Sequence, residues 1–312
     1  MQNELTAPPA PRRLPLPLII GAVALLGLSL ALTVPTQAEW WKVIILGIVQ
    51  GITEWLPVSS TGHLLLTARL LDYQGSIGGT FEIFIQFGTV LSVVVFYFGD
   101  LLGQARAVVG LGASSAQQAQ ARRFWLAIII AFLPAAVIGL LARDFIKTVL
   151  FDSPTTIASA LIIGGVILLL IERFPPQASR TDAVEQVSFG QAIGVGLAQC
   201  LALVPGVSRS GASIVGGMFA GLDRRSATAF SFYLSIPTLG AATLVDLIGS
   251  YDQIGPADWG RLLLGATVAM IIGYLTIGWL LRYISRNNFV AFGIYRIIAG
   301  LVILALVALG RL

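Results

Sequence analysis

The sequence predicts an all-α integral membrane protein with about six to seven full spans, built from inverted-topology repeats with two re-entrant broken-helix segments. Of the 312 residues, 56% are hydrophobic and only 11% are charged, whereas about a quarter of the residues in soluble domains are charged. Several apolar stretches reach the ~20 residues that a helix needs to cross a bilayer core. Two further apolar segments are interrupted by Pro, Gly and Ser in the same pattern, which is typical of broken helices in membrane repeats.

The apolar stretches are the predicted spans, and they divide the chain. Strands of a membrane β-barrel would alternate in polarity over ~10 residues, and these stretches do not. They lie at about 15–34, 80–98, 124–142, 155–172, 228–249, 261–281 and 289–310. We therefore expect a leader at 1–38 and a membrane domain at 39–312, with repeat one at about 39–142, repeat two at about 155–282 and a final span at 289–310.

The leader has two interpretations. Arg12 and Arg13 precede an apolar run from Leu14 to Val34, as a basic region precedes the apolar core of a signal peptide. The alternative is an uncleaved first span. We favour the span, because the apolar run is long for a signal peptide.

Loop charges orient the spans, since cytoplasmic loops carry an excess of Lys and Arg. If Arg12 and Arg13 are cytoplasmic, segment 250–258, which has two Asp and no Lys or Arg, is an outer loop. All these loops lie on the sides that their charges indicate only if segments 42–71 and 188–221 each enter the membrane and return to the side they came from. The cytoplasmic loops then hold Arg106, Arg122, Arg123, Arg173, Arg180, Arg224, Arg225, Arg282 and Arg286.

The two interrupted segments resemble each other. Each contains Gly-x-x-Gln, followed at identical spacings by Ser and Gly. The matched pairs are Gly47 and Gly196, Gln50 and Gln199, Ser59 and Ser208, and Gly62 and Gly211. Entry from opposite sides predicts inverted repeats that meet near the midplane. Non-helical backbone at that depth is tolerated where it lines a cavity or is buried in protein.

The first segment combines a carboxylate with a hydroxyl-rich turn. Gln50 and Glu54 are four residues apart and share one face of a helix, which Pro57 ends. In the turn that follows, hydroxyls cap the next helix at its N-terminus, a natural anion site, and a histidine is placed for proton transfer at a bound phosphate. The turn residues are Ser59, Ser60, Thr61, Gly62 and His63.

The second segment supplies another anion-binding turn, now with an arginine. A guanidinium offers planar, bidentate donors that suit phosphate oxygens, and it stays charged. After Pro205 and Gly206, the candidate residues are Ser208, Arg209, Ser210 and Gly211. Two such turns from opposite repeats, meeting centrally, suit a diphosphate.

Structural interpretations compete with these functions. Lone serines in membrane helices usually bond backbone carbonyls or make packing contacts, and structure is our preferred interpretation of Ser59 taken alone. An ionisable side chain at membrane depth costs ~3 kcal/mol, which makes Glu54, His63 and Arg209 functional candidates. Structural ion pairs or interfacial positions are preferred for Glu82 with Gln86, Asp246 and Arg296.

Composition also limits cofactors and partners. With one cysteine, Cys200, and one histidine, His63, the chain cannot form an internal disulfide or a Cys/His zinc site. Any metal would be a hard cation held by carboxylates and substrate phosphate. The basic residues are scattered over loops instead of forming a stripe, so we expect no nucleic-acid partner.

The stretches 47–66 and 203–217 resemble the two motifs of the bacitracin-resistance type undecaprenyl-diphosphate phosphatases. The first motif of that family has Glu or Gln, three residues, Glu, and then Pro-x-Ser-Ser-x-Gly-His, which residues 50–63 match. The second motif, Pro-Gly-x-Ser-Arg-Ser-Gly, is matched in full by residues 205–211. The resemblance covers about residue 40 to the end, and the leader lies outside it.

The resemblance implies a multi-pass enzyme of the bacterial cytoplasmic (inner) membrane, with its active site facing the outer side. Its expected reaction is hydrolysis of undecaprenyl diphosphate to undecaprenyl phosphate and inorganic phosphate. This recycles the lipid carrier for cell-wall synthesis and confers bacitracin resistance. The implied cofactor is a divalent cation, Mg²⁺ or Ca²⁺. The implied partners are the polyprenyl diphosphate lipid and the bilayer, and a homodimer stays open.

The resemblance also implies roles for individual residues. Glu54, Ser60, His63 and Arg209 match positions regarded as catalytic in the family, and Glu54 is the candidate metal ligand. Gln50 takes the less acidic option of the motif, so Glu54 is its only carboxylate. The residues expected to contact substrate are Gln50, Ser59, Thr61, Gly62, Ser208, Ser210 and Gly211. Ser60 attacks the terminal phosphorus or positions a water, and the sequence does not decide whether Ser60 or His63 is the nucleophile.

Two other functions fit parts of the pattern. The phosphatidic-acid phosphatase type 2 superfamily also uses a Ser-Gly-His element, but it needs a second histidine and this chain has only His63. A transporter or flippase would share the inverted repeats with broken helices. A transporter has no need of an acid–base histidine, which favours the enzyme, and a combined enzyme and flippase stays open.

Overall fold

A computed structural model of the chain describes residues 16–34, 39–73, 80–146, 150, 153–175 and 181–312. Within these ranges the regular structure is helical, apart from one isolated β-bridge between Thr181 and Leu222, so the predicted all-α class is confirmed. The helices are α1 Leu16–Thr33, α2 Trp40–Thr53, α3 Ser60–Leu70, α4 Thr80–Phe96, α5 Phe98–Val108, α6 Ser115–Leu141, α7 Arg143–Phe145, α8 Pro154–Arg173, α9 Phe189–Cys200, α10 Arg209–Phe219, α11 Arg224–Ser250, α12 Pro256–Ile284 and α13 Val290–Ala308. Short 3₁₀ turns occupy Val184–Gln186, Leu201–Leu203 and Tyr251–Gln253.

Several helices begin at side chains that accept hydrogen bonds from the first backbone N–H groups. Ser114 and Ser188 each form a capping box with the glutamine three residues further on. At the start of α11, Asp223 Oδ1 accepts from Ser226 N at 2.6 Å. Such caps satisfy donors that have no partner within the helix. The sequence therefore fixes where α6, α9 and α11 begin.

Five helices of the described residues are long and apolar enough to cross a membrane, or six if the bent pair α4–α5 counts as one span. Six to seven were predicted, and the difference lies at the first two predicted spans. The predicted span 80–98 corresponds to α4, which ends at Phe96 and meets α5 near Tyr97 at a bend of 73°. In α1 the described apolar part Ile19–Thr33 is shorter than a span, and residues 1–15 and 35–38 of the predicted leader lie outside the described residues.

Both interrupted segments are broken helices, as predicted. α2 and α3 have 14 and 11 residues, and α9 and α10 have 12 and 11, so each is shorter than the ~20 residues of a full span. Within each segment the second helix begins directly after a serine with positive φ, which is Ser59 at 71° and Ser208 at 78°. Each segment therefore consists of two short helices around a turn.

Long helices from each half of the chain, before and after about residue 150, pack against the broken helix of the other half. α12 lies against α2 and α4, whereas α6 lies against α9 and α11, and α4 contacts α11 between them. Each long helix thus supports the broken helix of the other half, while α8 and α13 pack against each other. This exchange suits the predicted repeats 39–142 and 155–282. Their boundaries, and those of the final span 289–310, stay a prediction.

Glycines let the broken helices approach the long ones closely. A Cβ on Gly47 would lie 2.9 Å from the carbonyl oxygen of Gly265 in α12, and a Cβ on Gly196 would lie 2.6 Å from that of Ala131 in α6. Gly47 and Gly196 are matched positions in the two segments. Small residues at the interfaces of membrane helices permit such backbone contact.

We expect Gly196→Ala to lower thermal stability, because the added methyl group meets backbone that cannot move aside as a flexible side chain can. Overpacking of this kind costs about 1–3 kcal/mol. The control on the same helix is Gly190→Ala, since nothing lies within 4 Å of its added Cβ and alanine favours a helix over glycine by about 1 kcal/mol. Thermal unfolding in detergent compares the two variants, and equal melting temperatures would contradict the close packing of α9 on α6.

Candidate active site

The two turns share an unusual backbone conformation at matched positions. Ser59 and Ser208 have φ of 71° and 78°, a left-handed conformation that costs a non-glycine residue about 1–2 kcal/mol. Ser208 Oγ accepts a hydrogen bond from Gly211 N at 3.1 Å and so caps α10, whereas Ser59 forms no side-chain cap on α3. The strained residue lies directly before the second helix of each segment.

The carboxylate of Glu54 is the centre of the site. Its Oε2 accepts hydrogen bonds from Ser60 Oγ at 2.7 Å and from Gln50 Nε2 at 3.1 Å. Its Oε1 pairs with Arg209 Nη2 at 3.1 Å, across 155 residues of sequence. Glu54 is only 5% exposed, and these three donors compensate a charge that has been removed from water. Gln50, Ser60 and Arg209, all predicted from the sequence, therefore contact the carboxylate of Glu54, which was predicted as well.

The guanidinium of Arg209 is held from three sides. Besides Glu54, its Nη1 donates to the carbonyl oxygen of Ser231 at 2.9 Å and to the hydroxyl of Ser231 at 3.2 Å. The ring of Trp55 lies 5.3 Å from Cζ, within the range of cation–π attraction. Nε is buried and has no hydrogen-bond partner among the described atoms. Sequence analysis assigned no role to Ser231 or Trp55, although Trp55 directly follows Glu54 in the first motif.

Hydroxyl groups of the second turn join the two turns to each other. Ser210 Oγ donates to the carbonyl oxygen of Leu56 at 2.9 Å and lies 3.1 Å from Ser208 Oγ. Further along α10, Ser213 Oγ lies 2.7 Å from Ser231 Oγ. These hydroxyls have structural partners within the protein. The substrate contacts expected of Ser208 and Ser210 stay a prediction.

A second buried guanidinium, that of Arg296 on α13, bridges the turns. Nη1 donates to the carbonyl oxygen of Pro57 at 3.1 Å, and Nη2 donates to that of Gly206 at 2.9 Å. The remaining bonds go to carbonyl oxygens of α8, from Nη2 to Ala160 at 3.1 Å and from Nε to Leu161 at 3.3 Å. Arg296 is 1% exposed. The structural ion pair or interfacial position preferred from sequence is therefore wrong, because this charge is buried and bonded to backbone carbonyls.

His63 lies at the edge of this group. Its Nδ1 is 2.8 Å from the carbonyl oxygen of Ser59, and its Nε2 is 2.6 Å from the hydroxyl of Tyr295. The two rings are stacked, with centroids 5.4 Å apart and planes inclined by 10°. Among the described residues no hydrogen bond joins the His63 ring to Glu54 or Arg209. Sequence analysis did not identify Tyr295.

The other predicted residues lie in or beside the turns. A Cβ on Gly62 would lie 3.2 Å from Ile157 Cγ2 of α8, so Gly62 brings α3 close to that helix. Thr61 is half-buried in the first turn of α3. Away from the site, Asp246 pairs with Arg143 at 3.6 Å, which confirms the ion pair that was preferred for Asp246.

The described residues do not fit a metal ion held by the protein alone. They contain no group of three or more His, Cys, Asp or Glu side chains that could bind one. Glu54 is the predicted metal ligand, and both of its oxygens already accept bonds from donors, one of them a guanidinium. A cation at this carboxylate would also lie beside the guanidinium of Arg209, whose positive charge repels it.

The arrangement places a hydroxyl against a buried carboxylate, beside a fixed guanidinium. A hydroxyl that donates to a buried carboxylate at 2.7 Å can pass its proton to that carboxylate as it attacks. The guanidinium beside the carboxylate can stabilise charge on an oxyanion such as a phosphoryl group. The N-termini of α3 and α10 add free N–H groups at the two turns. These features together suit phosphoryl transfer.

Comparison with known proteins gives a consistent result. The model of a family described as bacitracin resistance protein BacA matches residues 43–302. A protein of Deinococcus radiodurans named undecaprenyl-diphosphatase is 45% identical over 277 residues, which cover 88% of this chain and 97% of that protein. Proteins of the same name from Cereibacter sphaeroides and Caulobacter vibrioides are 44% and 42% identical, over 86% and 88% of this chain and 97% and 99% of their own lengths.

We expect Arg296→Ala to destabilise the protein, because it removes the donor from the buried turn carbonyl oxygens of Pro57 and Gly206. Each unsatisfied buried group costs about 1–3 kcal/mol, so the loss should reach at least about 2 kcal/mol in thermal unfolding. Arg296→Lys should restore little, since an ammonium group lacks the planar fork that reaches several carbonyls.

The control for this comparison is Arg282→Ala, which removes an exposed arginine from the end of α12. Its melting temperature should equal that of the wild type. A stable Arg296→Lys variant would contradict the bridging role of the guanidinium.

Proposed function

The chain belongs to the bacitracin resistance protein BacA family, and on this premise we propose that it is an undecaprenyl-diphosphatase. The proposed reaction is hydrolysis of undecaprenyl diphosphate to undecaprenyl phosphate and inorganic phosphate. Relatives that carry this name support it, since they match nearly their whole length at 42–45% identity. The observation that carries the proposal is the hydrogen bond from Ser60 to Glu54 beside the guanidinium of Arg209.

Arg209 is the proposed partner of the diphosphate. Its Nη2 pairs with Glu54, and its Nε has no partner among the described atoms. Phosphate oxygens that contact Nε and one Nη would form the bidentate arrangement that guanidinium groups favour. The diphosphate would then compete with Glu54 for this guanidinium. Loss of that pairing would free a carboxylate oxygen of Glu54 to act as a base.

In the first proposed step, Ser60 Oγ attacks the terminal phosphorus and its proton passes to Glu54. The bond from that phosphorus to the bridging oxygen breaks, and undecaprenyl phosphate leaves with the bridging oxygen. Arg209 stabilises the negative charge of the transferring phosphoryl group. The phosphoryl group is then bound to Ser60 as phosphoserine.

In the second proposed step, water hydrolyses the phosphoserine. The water oxygen attacks phosphorus while its proton passes to His63 Nε2. The bond between phosphorus and Ser60 Oγ breaks, Glu54 returns the proton to Ser60, and inorganic phosphate is released. His63 then gives its proton to solvent, which restores the starting state of the enzyme. His63 follows Ser60 by three residues on α3, so the two side chains share a face of the helix.

Two alternatives assign the nucleophile differently. Ser60 could position a water that attacks the substrate directly, or His63 could attack through Nε2. The contact of Ser60 with Glu54 at 2.7 Å favours Ser60.

The divalent cation, Mg²⁺ or Ca²⁺, stays a proposal that rests on the family resemblance. The donor set around Glu54 does not fit an ion held by side chains alone, because it offers a single carboxylate that already accepts three hydrogen bonds, one of them from a guanidinium. We therefore assign no step of the reaction to a cation. Hard cations bind phosphate oxygens readily, and the substrate supplies such oxygens.

The proposed place of the enzyme is the bacterial cytoplasmic membrane, with the active site open to the outer side. The spans of the described residues make it a multi-pass membrane protein, and the loop charges support this orientation. The product, undecaprenyl phosphate, would serve again as a lipid carrier for cell-wall synthesis. Removal of the diphosphate that bacitracin sequesters would confer resistance. A homodimer and the absence of a nucleic-acid partner stay predictions.

A lipid transporter is the second candidate function. The two broken helices favour it, because transporters bind substrates between such elements. Transport needs two compartments, whereas hydrolysis proceeds in detergent. Release of phosphate by the purified protein therefore separates the two functions.

The purified protein in detergent should release phosphate from undecaprenyl diphosphate or a shorter polyprenyl diphosphate. We expect Ser60→Ala, Glu54→Gln and Arg209→Lys each to lower kcat/KM by at least about 100-fold, because each removes a group that acts on the transferring phosphoryl. Ser285→Ala, which removes an exposed hydroxyl at the end of α12, is the control and should keep wild-type activity.

The same assay tests the cation when it is run with Mg²⁺, with Ca²⁺ and with EDTA. Full activity in EDTA would contradict the cation requirement. A folded wild-type protein that releases no phosphate under any condition would refute the phosphatase and favour the transporter.

Trapping of the phosphoenzyme should identify the nucleophile. After an acid quench of a reaction with substrate radiolabelled in the terminal phosphate, we expect an acid-stable label, as phosphoserine is stable in acid and phosphohistidine is not. The label should be lost in Ser60→Ala and retained in His63→Ala. An acid-labile label that survives Ser60→Ala would assign the attack to His63 instead.

A further inference from the structure

The contact between His63 and Tyr295 joins two distant parts of the chain. Tyr295 belongs to α13 and His63 to α3, and 232 residues separate them. The rings are stacked, and the Tyr295 hydroxyl is 2.6 Å from Nε2. The two side chains are thus in contact through their stacked rings and through a hydrogen bond.

The two hydrogen bonds of the imidazole together favour one tautomer. Nδ1 lies 2.8 Å from the carbonyl oxygen of Ser59. Because a carbonyl oxygen can only accept, Nδ1 carries the proton while this contact is made. In the neutral ring Nε2 then has the lone pair, and the hydroxyl of Tyr295 donates to it. In the charged ring Nε2 donates to the same hydroxyl, which can also accept.

Tyr295 is itself tied to the two turns through its neighbour in sequence. Arg296 bonds the carbonyl oxygens of Pro57 and Gly206, so the start of α13 is fixed relative to both turns. The Tyr295 side chain remains 46% exposed. Its hydroxyl can therefore leave Nε2 by a rotation of the side chain without disturbing the bonds of Arg296.

We propose that Tyr295 is a positioning residue for His63, which it holds with Nδ1 protonated and with Nε2 available to the reacting groups. This inference rests on the proposed function, in which His63 Nε2 takes a proton from the attacking water. Before the reaction, Tyr295 holds the imidazole in one orientation. When the attacking water reaches Nε2, the hydroxyl of Tyr295 moves away from that nitrogen and the water takes its position. The hydroxyl carries this role, while the aromatic ring supplies packing.

The test compares Tyr295→Phe, which keeps the stacked ring and removes the hydroxyl, with the wild-type chain. His63 is the only histidine of the sequence, so selective ¹⁵N-histidine labelling reports this imidazole alone. At a pH where the ring is neutral, the nitrogen shifts should show one tautomer, protonated at Nδ1, in the wild type. In Tyr295→Phe we expect a mixture of the two tautomers, and kcat lower by about 10-fold or more with KM nearly unchanged.

The control is Tyr251→Phe, which removes the hydroxyl of a tyrosine that is 62% exposed and should change neither the nitrogen shifts nor kcat. Melting temperatures of all three proteins should agree, since the stacked ring is kept. A Tyr295→Phe variant with the wild-type tautomer, or with the wild-type kcat, would overturn the proposal. A wild-type protein that shows the expected tautomer but releases no phosphate would instead refute the proposed function and leave the control of the tautomer standing.

Discussion

Non-helical backbone at membrane depth must find hydrogen-bond partners within the protein, since the bilayer core offers none. Two broken helices turn back in this molecule, and the guanidinium of Arg296 bonds a carbonyl oxygen in each turn, that of Pro57 and that of Gly206. Its other bonds anchor it to α8. The turns are therefore held at a fixed separation by a rigid, planar group. The active-site contacts depend on this separation.

With the two turns held at this separation, Glu54 beside the first turn and Arg209 beside the second lie close enough to form an ion pair. Two charges that are nearly buried cost free energy unless their bonding groups are satisfied, and here the carboxylate has donors on both oxygens. The guanidinium is fixed by Ser231 and by the ring of Trp55. The guanidinium, the carboxylate and the Ser60 hydroxyl are thus held in place by the protein itself, and such preorganisation is the condition for electrostatic stabilisation of a transition state.

The two broken segments contribute different side chains at a matched position. A strained serine precedes the second helix in each segment, and the residue that follows it is Ser60 in one and Arg209 in the other. A matched backbone position therefore carries the hydroxyl in the first segment and the cation in the second. Both side chains contact Glu54.

The sequence by itself determined the all-α membrane class, the two broken segments and the residues Glu54, Ser60 and Arg209, because hydropathy, proline and glycine positions and short motifs are local properties of the chain. It did not reveal the bend between α4 and α5, since the predicted span stops at residue 98 and mean hydropathy does not record a change of direction. Only the tertiary structure revealed the contacts of Arg296 and Tyr295. Arg296 acts on backbone carbonyls, which leave no mark in the sequence, and the partners of both residues lie as far as 239 residues away.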